Sequence, residues 1–213
     1  MAKRAGLLAL ALVFLTAQAA CAQAPRGLVR LDRAWNYLLE RQLVGSVLEE
    51  FCAGKPNKKL LAMGSWTLHA EGFAFRVPDG MERSGRLRGM DILLADTRKE
   101  PVPFRTIITV SVSPGEDSTL RDTTEEGINS RYRGRFTRFT LLDFERDDTL
   151  GEDGIRITFL CDNTIKTLVQ QHMFNKNGSS YVLTLSMENT FAQTTIGFAQ
   201  YEAFRESMLF VKP

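Results

Sequence analysis

Four arginines fall within eight residues, Arg131, Arg133, Arg135 and Arg138, with Tyr132 and Phe136 between them. Guanidinium groups pair bidentately with phosphate or carboxylate, and interleaved aromatic rings can stack on a flat partner. The segment therefore reads as a contact surface for an anionic component: a phospholipid or glycan head group, or an acidic protein face. The competing reading is a helix C-terminus running into a strand, where cations complement the negative end of the helix dipole and aid solubility.

Acid–base and metal chemistry have little material. His69 and His172 are the two histidines, which excludes a His-rich metal site. Cys161 and His172 form a tempting dyad, but they flank a turn near Asn163. With Cys161 opposite about Lys166, His172 falls opposite about Ile155, roughly 15 to 20 Å away at 3.3 Å per residue. A strand-borne His172 beside Gln170 reads as a plain surface residue, and His69 has the same bland reading. The acids Asp143, Glu145, Asp147, Asp148, Glu152 and Asp153 could gather oxygen ligands for Ca²⁺. Their spacing does not fit an EF-hand loop, and a solvated hairpin turn with Gly151 and Gly154 accounts for them better. There is no Gly-x-Ser-x-Gly, His-Glu-x-x-His, P-loop or dinucleotide fingerprint, so no cofactor and no catalytic residue is expected.

The elements that must position these residues follow a leader. Lys3 and Arg4 precede an apolar run from Gly6 to Ala17, too short to span a bilayer as a helix. Residues 1–22 read as an export signal cleaved before Gln23, giving a periplasmic protein with no transmembrane segment. Cys21 raises a lipid anchor as the alternative, although Gln18 stands where a lipobox wants an aliphatic residue. The whole chain has 27 Lys+Arg against 25 Asp+Glu, and both cations of the leader leave with it. The remaining chain is formally neutral, with no global field to draw it onto nucleic acid. About 190 residues suffice for one core. In an oxidising compartment Cys52 and Cys161 could form a disulfide, or could remain two buried thiols.

Leu28, Leu31, Trp35, Leu38, Leu39, Val47, Leu48 and Phe51 follow helical spacing, so residues 23–64 read as an amphipathic helix and a linker carrying Lys55 to Lys59. Residues 65–213 form the main domain. Phe73, Phe75 and Val77 alternate with Ala74 and Arg76 before a Pro78-Asp79-Gly80 turn, and Ile108, Val110 and Val112 share one strand face. Ser118 to Arg133 predicts a helix, with Asp122 to Glu125 at capping-box spacing. Four alternating runs then predict an antiparallel meander: Thr137 to Glu145, Ile155 to Asp162, Thr167 to Phe174 and Tyr181 to Met187. Asn177-Gly178 is the hairpin signal between the last two. Ile196, Ala199 and Ala203, beside Phe198, Tyr201, Phe204 and Met208, predict a final helix packed on the sheet. The fold class is α+β, a central antiparallel sheet with helices on its faces.

The segment from Phe73 through Arg76, Pro78 and Gly80 to Met81 resembles the opening strand and turn of the PsbP/DcrB-like superfamily, with Met81 where Trp is usual. The resemblance runs on to about Phe210, through the helix at Ser118 to Arg133, a strand opened by Gly154 and the Ser179 to Leu185 strand. It implies an α-β-α sandwich and binding to other macromolecules without catalysis, and assigns no site residue. The expected role is thus an exported interaction or accessory protein of the envelope, its partner an envelope protein or anionic surface component. A periplasmic small-molecule or lipid carrier is the alternative, and a hydrolase comes third.

Overall fold

The structure, a computed structural model, describes residues 40–46, 48–50, 52–53, 66–69, 71–84, 89–97, 106–136, 138–162 and 166–211. The leader, Cys21, the first apolar positions of the N-terminal helix and the lysine-rich stretch 55–59 lie outside these residues. The chain divides into two compact units between positions 46 and 47. In the first, residues 40–46 are helical. The second holds all the described strands.

These strands make two antiparallel sheets. The smaller has the order β1-β2-β10, from β1 (Trp66–His69), β2 (Phe73–Arg76) and β10 (Leu209–Phe210). The larger has seven strands in the order β3-β4-β5-β9-β8-β7-β6. They are β3 (Met81–Arg83), β4 (Ile92–Asp96), β5 (Ile107–Pro114), β6 (Thr140–Arg146), β7 (Glu152–Asp162), β8 (Lys166–Lys176) and β9 (Ser179–Glu188). The expected meander is therefore β6 to β9, joined through β9 to β5. Its last hairpin turns on Asn177 and Gly178, both at positive φ, 53° and 81°. That is the geometry a two-residue turn needs to match the strand twist, and glycine and asparagine reach it most readily.

Three helices cover the larger sheet: α1 (Thr119–Asp122), α2 (Glu125–Arg133) and α3 (Phe191–Ser207). Tyr201 and Phe204 of α3 join Leu183, Leu185 and Met187 of β9, Ile108 and Val110 of β5, and Phe73 and Phe75 of the small sheet in one core. Leu120, Ile128 and Tyr132 of α1 and α2 join Ile155, Ile157, Phe159 and Cys161 of β7 in a second. The fold is an α+β sandwich with helices on both faces of a central antiparallel sheet.

The helix predicted from Ser118 to Arg133 is broken at Thr123 and Thr124. Thr124 is extended, with φ −112° and ψ 165°, and its hydroxyl accepts from the Gly127 N–H at 3.2 Å. It is thus the N-cap, in place of the capping box read at Asp122 to Glu125. The carbonyls freed at the end of α1 are taken by one side chain of β6: Arg146 donates to Leu120, Arg121 and Thr123 carbonyls, each at 2.7 Å. This fixes α1 and the start of α2 to the edge of the sheet.

The last helix also differs from expectation. Its inner face is Gln193, Gly197, Gln200, Tyr201, Phe204 and Ser207, while Ile196, Ala199 and Ala203 face solvent. The small residue at 197 lies at the centre of this inner face. A Cβ there would overlap the Met187 sulfur, so a larger residue would require that side chain to shift for the helix to keep its close approach to β9. Gln193 then reaches the buried Thr106 hydroxyl with a hydrogen bond.

Candidate functional site

The arginine segment begins in the last turn of α2. Ile128 and Tyr132, four residues apart, point to the sheet, so Arg131, Arg133 and Arg135 fall outside that face and are exposed. Glu125 and Glu126 in the first turn and Arg131 and Arg133 in the last match the helix dipole at each end. Among the described residues Arg131, Arg133 and Arg135 form no salt bridge, whereas Arg138 meets Asp162 at 3.4 Å. That pair is largely solvated and adds little to stability.

Tyr132 does not stand with the arginines as a stacking surface. It is buried, and its ring packs on Phe136, Phe139 and Phe159 with centroids 5.7, 5.6 and 5.5 Å away. Its hydroxyl donates to Gln171 Oε1 at 2.7 Å, and burial pushes its pKa up. The patch offers guanidinium groups for phosphate or carboxylate without the aromatic platform read from the sequence.

A second constellation lies under α3. Cross-strand register places Ile92, Val110, Leu183, His172, Arg156 and Glu145 in one row over β4, β5, β9, β8, β7 and β6. The row is apolar over three strands and then becomes polar. His172, read from the sequence as a surface residue, is wholly buried, because β8 is flanked on both sides and α3 covers its face. Its Nε2–H donates to the Asp147 carbonyl at 2.8 Å. A carbonyl can only accept, so the proton resides on Nε2.

Asp147 is the hub of this cluster. Its Oδ1 accepts from the Thr149 hydroxyl at 2.6 Å and the Thr149 amide at 3.1 Å, and its Oδ2 accepts from Arg205 of α3 at 3.1 Å. Arg156 stands 3.7 Å from the same oxygen and pairs with Glu145; Arg205 also holds Glu202 at 2.8 Å. Burial alone would raise the Asp147 pKa, but the Thr149 hydrogen bonds and the Arg205 cation outweigh it and hold the carboxyl below its usual range.

His172 is displaced the other way in chemical terms, towards its neutral form. Burial pushes its pKa down, partly opposed by the bond to Asp147, and the Arg205 and Arg156 cations push the same way as burial. The folded imidazole thus takes a proton at lower pH than the unfolded chain does. Between those two values the unfolded chain binds more protons, so stability falls as pH drops below about 6.5 and goes on falling until the folded value is passed. Asp147 adds a later loss, as pH falls below about 4 and through its own depressed value. Melting temperatures between pH 8 and pH 5 are expected to decline in the wild type and to decline less steeply in His172→Gln. An equal slope in the two proteins would show that His172 does not carry the effect.

Cys161 and His172 are on opposite faces of the sheet, Cys161 in the core under α2 and His172 under α3. The register is one residue from that expected: Cys161 faces Thr167, and His172 faces Arg156. Cys52 and Cys161 are not bonded to each other, so the expected disulfide is not formed. Cys52 lies by Gly72 and Tyr181, at the β8–β9 turn end of β9, whereas Cys161 faces Thr167, which pairs with Glu188 at the other end. Seven residues of strand, roughly 20 Å, and the thickness of the sheet separate them.

The acidic stretch is shared among cations and turn amides. Glu145 meets Arg156, Asp147 meets Arg205, Asp153 meets Arg121 at 3.1 Å, and Asp148 accepts from the Gly154 amide at 2.6 Å. No group of acidic, histidine or cysteine side chains among the described residues is placed to hold a metal ion. His69 stacks on Phe73, with ring centroids 4.6 Å apart, and its Nδ1 accepts from the Glu71 amide. No helix among the described residues is long and apolar enough to cross a membrane.

No family model matches the sequence, and no curated protein matches it. Several solved structures are similar to part of this chain at low identity. The Ran-binding protein Mog1p of Saccharomyces cerevisiae is 11% identical with a TM-score of 0.48, over 69% of this chain and 95% of that one. LpqN of Mycobacterium tuberculosis, described as involved in cell envelope biogenesis, is 14% identical with a TM-score of 0.46, over 70% and 86%. A cyanobacterial PsbP from Synechocystis sp. PCC 6803 is 13% identical with a TM-score of 0.40, over 69% and 93%.

Proposed function

We propose that this chain is an exported recognition module of the PsbP/DcrB-like kind, an accessory protein that holds an anionic envelope component through Arg131, Arg133 and Arg135 and catalyses no reaction. One observation carries the reading. Arg121, Arg138, Arg156 and Arg205 each face a carboxylate of the chain itself, while those three at the end of α2 form no salt bridge among the described residues. Exposed guanidinium groups without an internal counter-ion are available to phosphate or carboxylate. The leader read at residues 1–22 supports export. His172 is wholly buried and commits its Nε2–H to a backbone carbonyl.

Exchanging Arg131, Arg133 and Arg135 together for Glu is expected to abolish capture of the partner from native envelope extract. The melting temperature should stay within about 2 °C of wild type, because exposed side chains contribute little to stability. Undiminished capture by the triple variant would remove this patch from consideration.

A further inference from the structure

Five buried polar atoms of β7, β8 and α3 have no hydrogen-bond partner among the described residues: Gln200 Oε1, whose side-chain nitrogen donates to the Asp79 carbonyl, and four others, Arg156 Nε, His172 Nδ1, Gln170 Oε1 and the Tyr201 hydroxyl. Three of them belong to one face of two adjacent strands. His172 stands opposite Arg156, and Gln170, two residues along β8, stands opposite Thr158 and donates to its hydroxyl through Nε2. The fourth comes from the helix that covers this face. Tyr201 lies one turn before Arg205, which binds Asp147, whose carbonyl holds His172; Tyr201 is within electrostatic reach of both Arg156 and Asp147. His172 and Tyr201 are each wholly buried.

The unmet atoms are chemically complementary. With its proton on Nε2, His172 presents a lone pair at Nδ1. The Arg156 Nε–H is a donor, the Gln170 Oε1 an acceptor, and a phenol can be either. Native interiors leave few such groups unpaired, because each would carry its full desolvation penalty. The neighbouring charges are already engaged with one another: Glu145 with Arg156, Asp147 and Glu202 with Arg205. Whatever satisfies the remaining atoms must therefore be neutral, small, and able to donate and accept together. Water has that chemistry, and a buried water typically makes about three hydrogen bonds.

We propose that an internal water site lies between β7, β8 and α3, its solvent held by Arg156 Nε, His172 Nδ1 and the Tyr201 hydroxyl, with Gln170 Oε1 at its edge. The seat of α3 on the polar half of the sheet is then hydrated, and the imidazole and the phenol belong to one hydrogen-bonded network.

The test combines the sign of a stability change with direct detection of solvent. In Tyr201→Phe a network water loses a partner, and the melting temperature is expected to fall by about 3 °C. A dry, unpaired hydroxyl would behave in the opposite way, since its removal leaves an apolar ring in an apolar place. A melting temperature that rises or stays level overturns the proposal. In the wild type, nuclear magnetic resonance should show cross-relaxation from the His172 and Tyr201 ring protons to a long-lived water. A lowered melting temperature without that signal would mean the side chains bond directly in solution, and it overturns the proposal as well.

Discussion

Gly154→Ala is expected to lower stability by about 3 kcal/mol and the melting temperature by roughly 10 °C. A Cβ at position 154 would fall inside the van der Waals envelope of the Asp147 carbonyl. No flexible side-chain end can swing away there, because the obstacle is backbone. The two residues are also tied directly: the Asp147 amide donates to the Gly154 carbonyl at 3.0 Å, and the Gly154 amide to Asp148 Oδ1 at 2.6 Å. Relief requires the β6–β7 hairpin to open, and the same Asp147 carbonyl is the acceptor for His172. The cost therefore spreads from the turn to the sheet. Gly134→Ala is the control, since its Cβ would meet nothing within 4 Å and its φ of −79° suits any residue. Thermal melts of the two variants should separate widely; equal melting temperatures would show that the hairpin is not closed on itself.

The meander was legible because strands buried on alternate residues repeat with a period of two, and Asn177-Gly178 declares its turn locally. The helices were less so, for reasons visible in single residues. Thr124 caps α2 with its own hydroxyl, a local competition that splits a stretch whose composition reads as one helix. On α3 the inward positions include Gln193, Gly197 and Gln200, polar or small, while Ile196 faces outward at 38% exposure. Apolar periodicity therefore pointed partly to the wrong side. β10 is two residues long and pairs with β2, which lies over 130 positions earlier, and no alternation can be read from two residues. The same range of separation hid the polar cluster. Asp147 is 25 positions from His172 and 58 from Arg205. Only the register that sets Arg156 opposite both Glu145 and His172 brings them together. The arginine segment was legible as charge, but the fate of Tyr132 depended on which face of α2 met the sheet.

Asp147→Ala is expected to cost about 3 kcal/mol, with Asp147→Asn between it and wild type. The carboxylate is nearly buried, its side chain 7% exposed, and Arg205 and Arg156 beside it are 17% and 23% exposed. Removing the anion leaves two partly desolvated cations facing each other across the seat of α3. Each keeps one other acid, Glu202 or Glu145, so the loss is set towards the lower end of what a stranded buried charge incurs. Asparagine would still accept from the Thr149 amide and hydroxyl, preserving the turn while losing the charge, which is why its effect is intermediate. The ordering also identifies the source of the energy. If Asn were as damaging as Ala, charge would account for the whole loss; if Asn matched wild type, the turn hydrogen bonds would. Denaturant titration of the three proteins at pH 7 resolves these outcomes. Repeating it in high salt should narrow the gap between Asn and wild type only slightly, because a pair this buried is poorly screened.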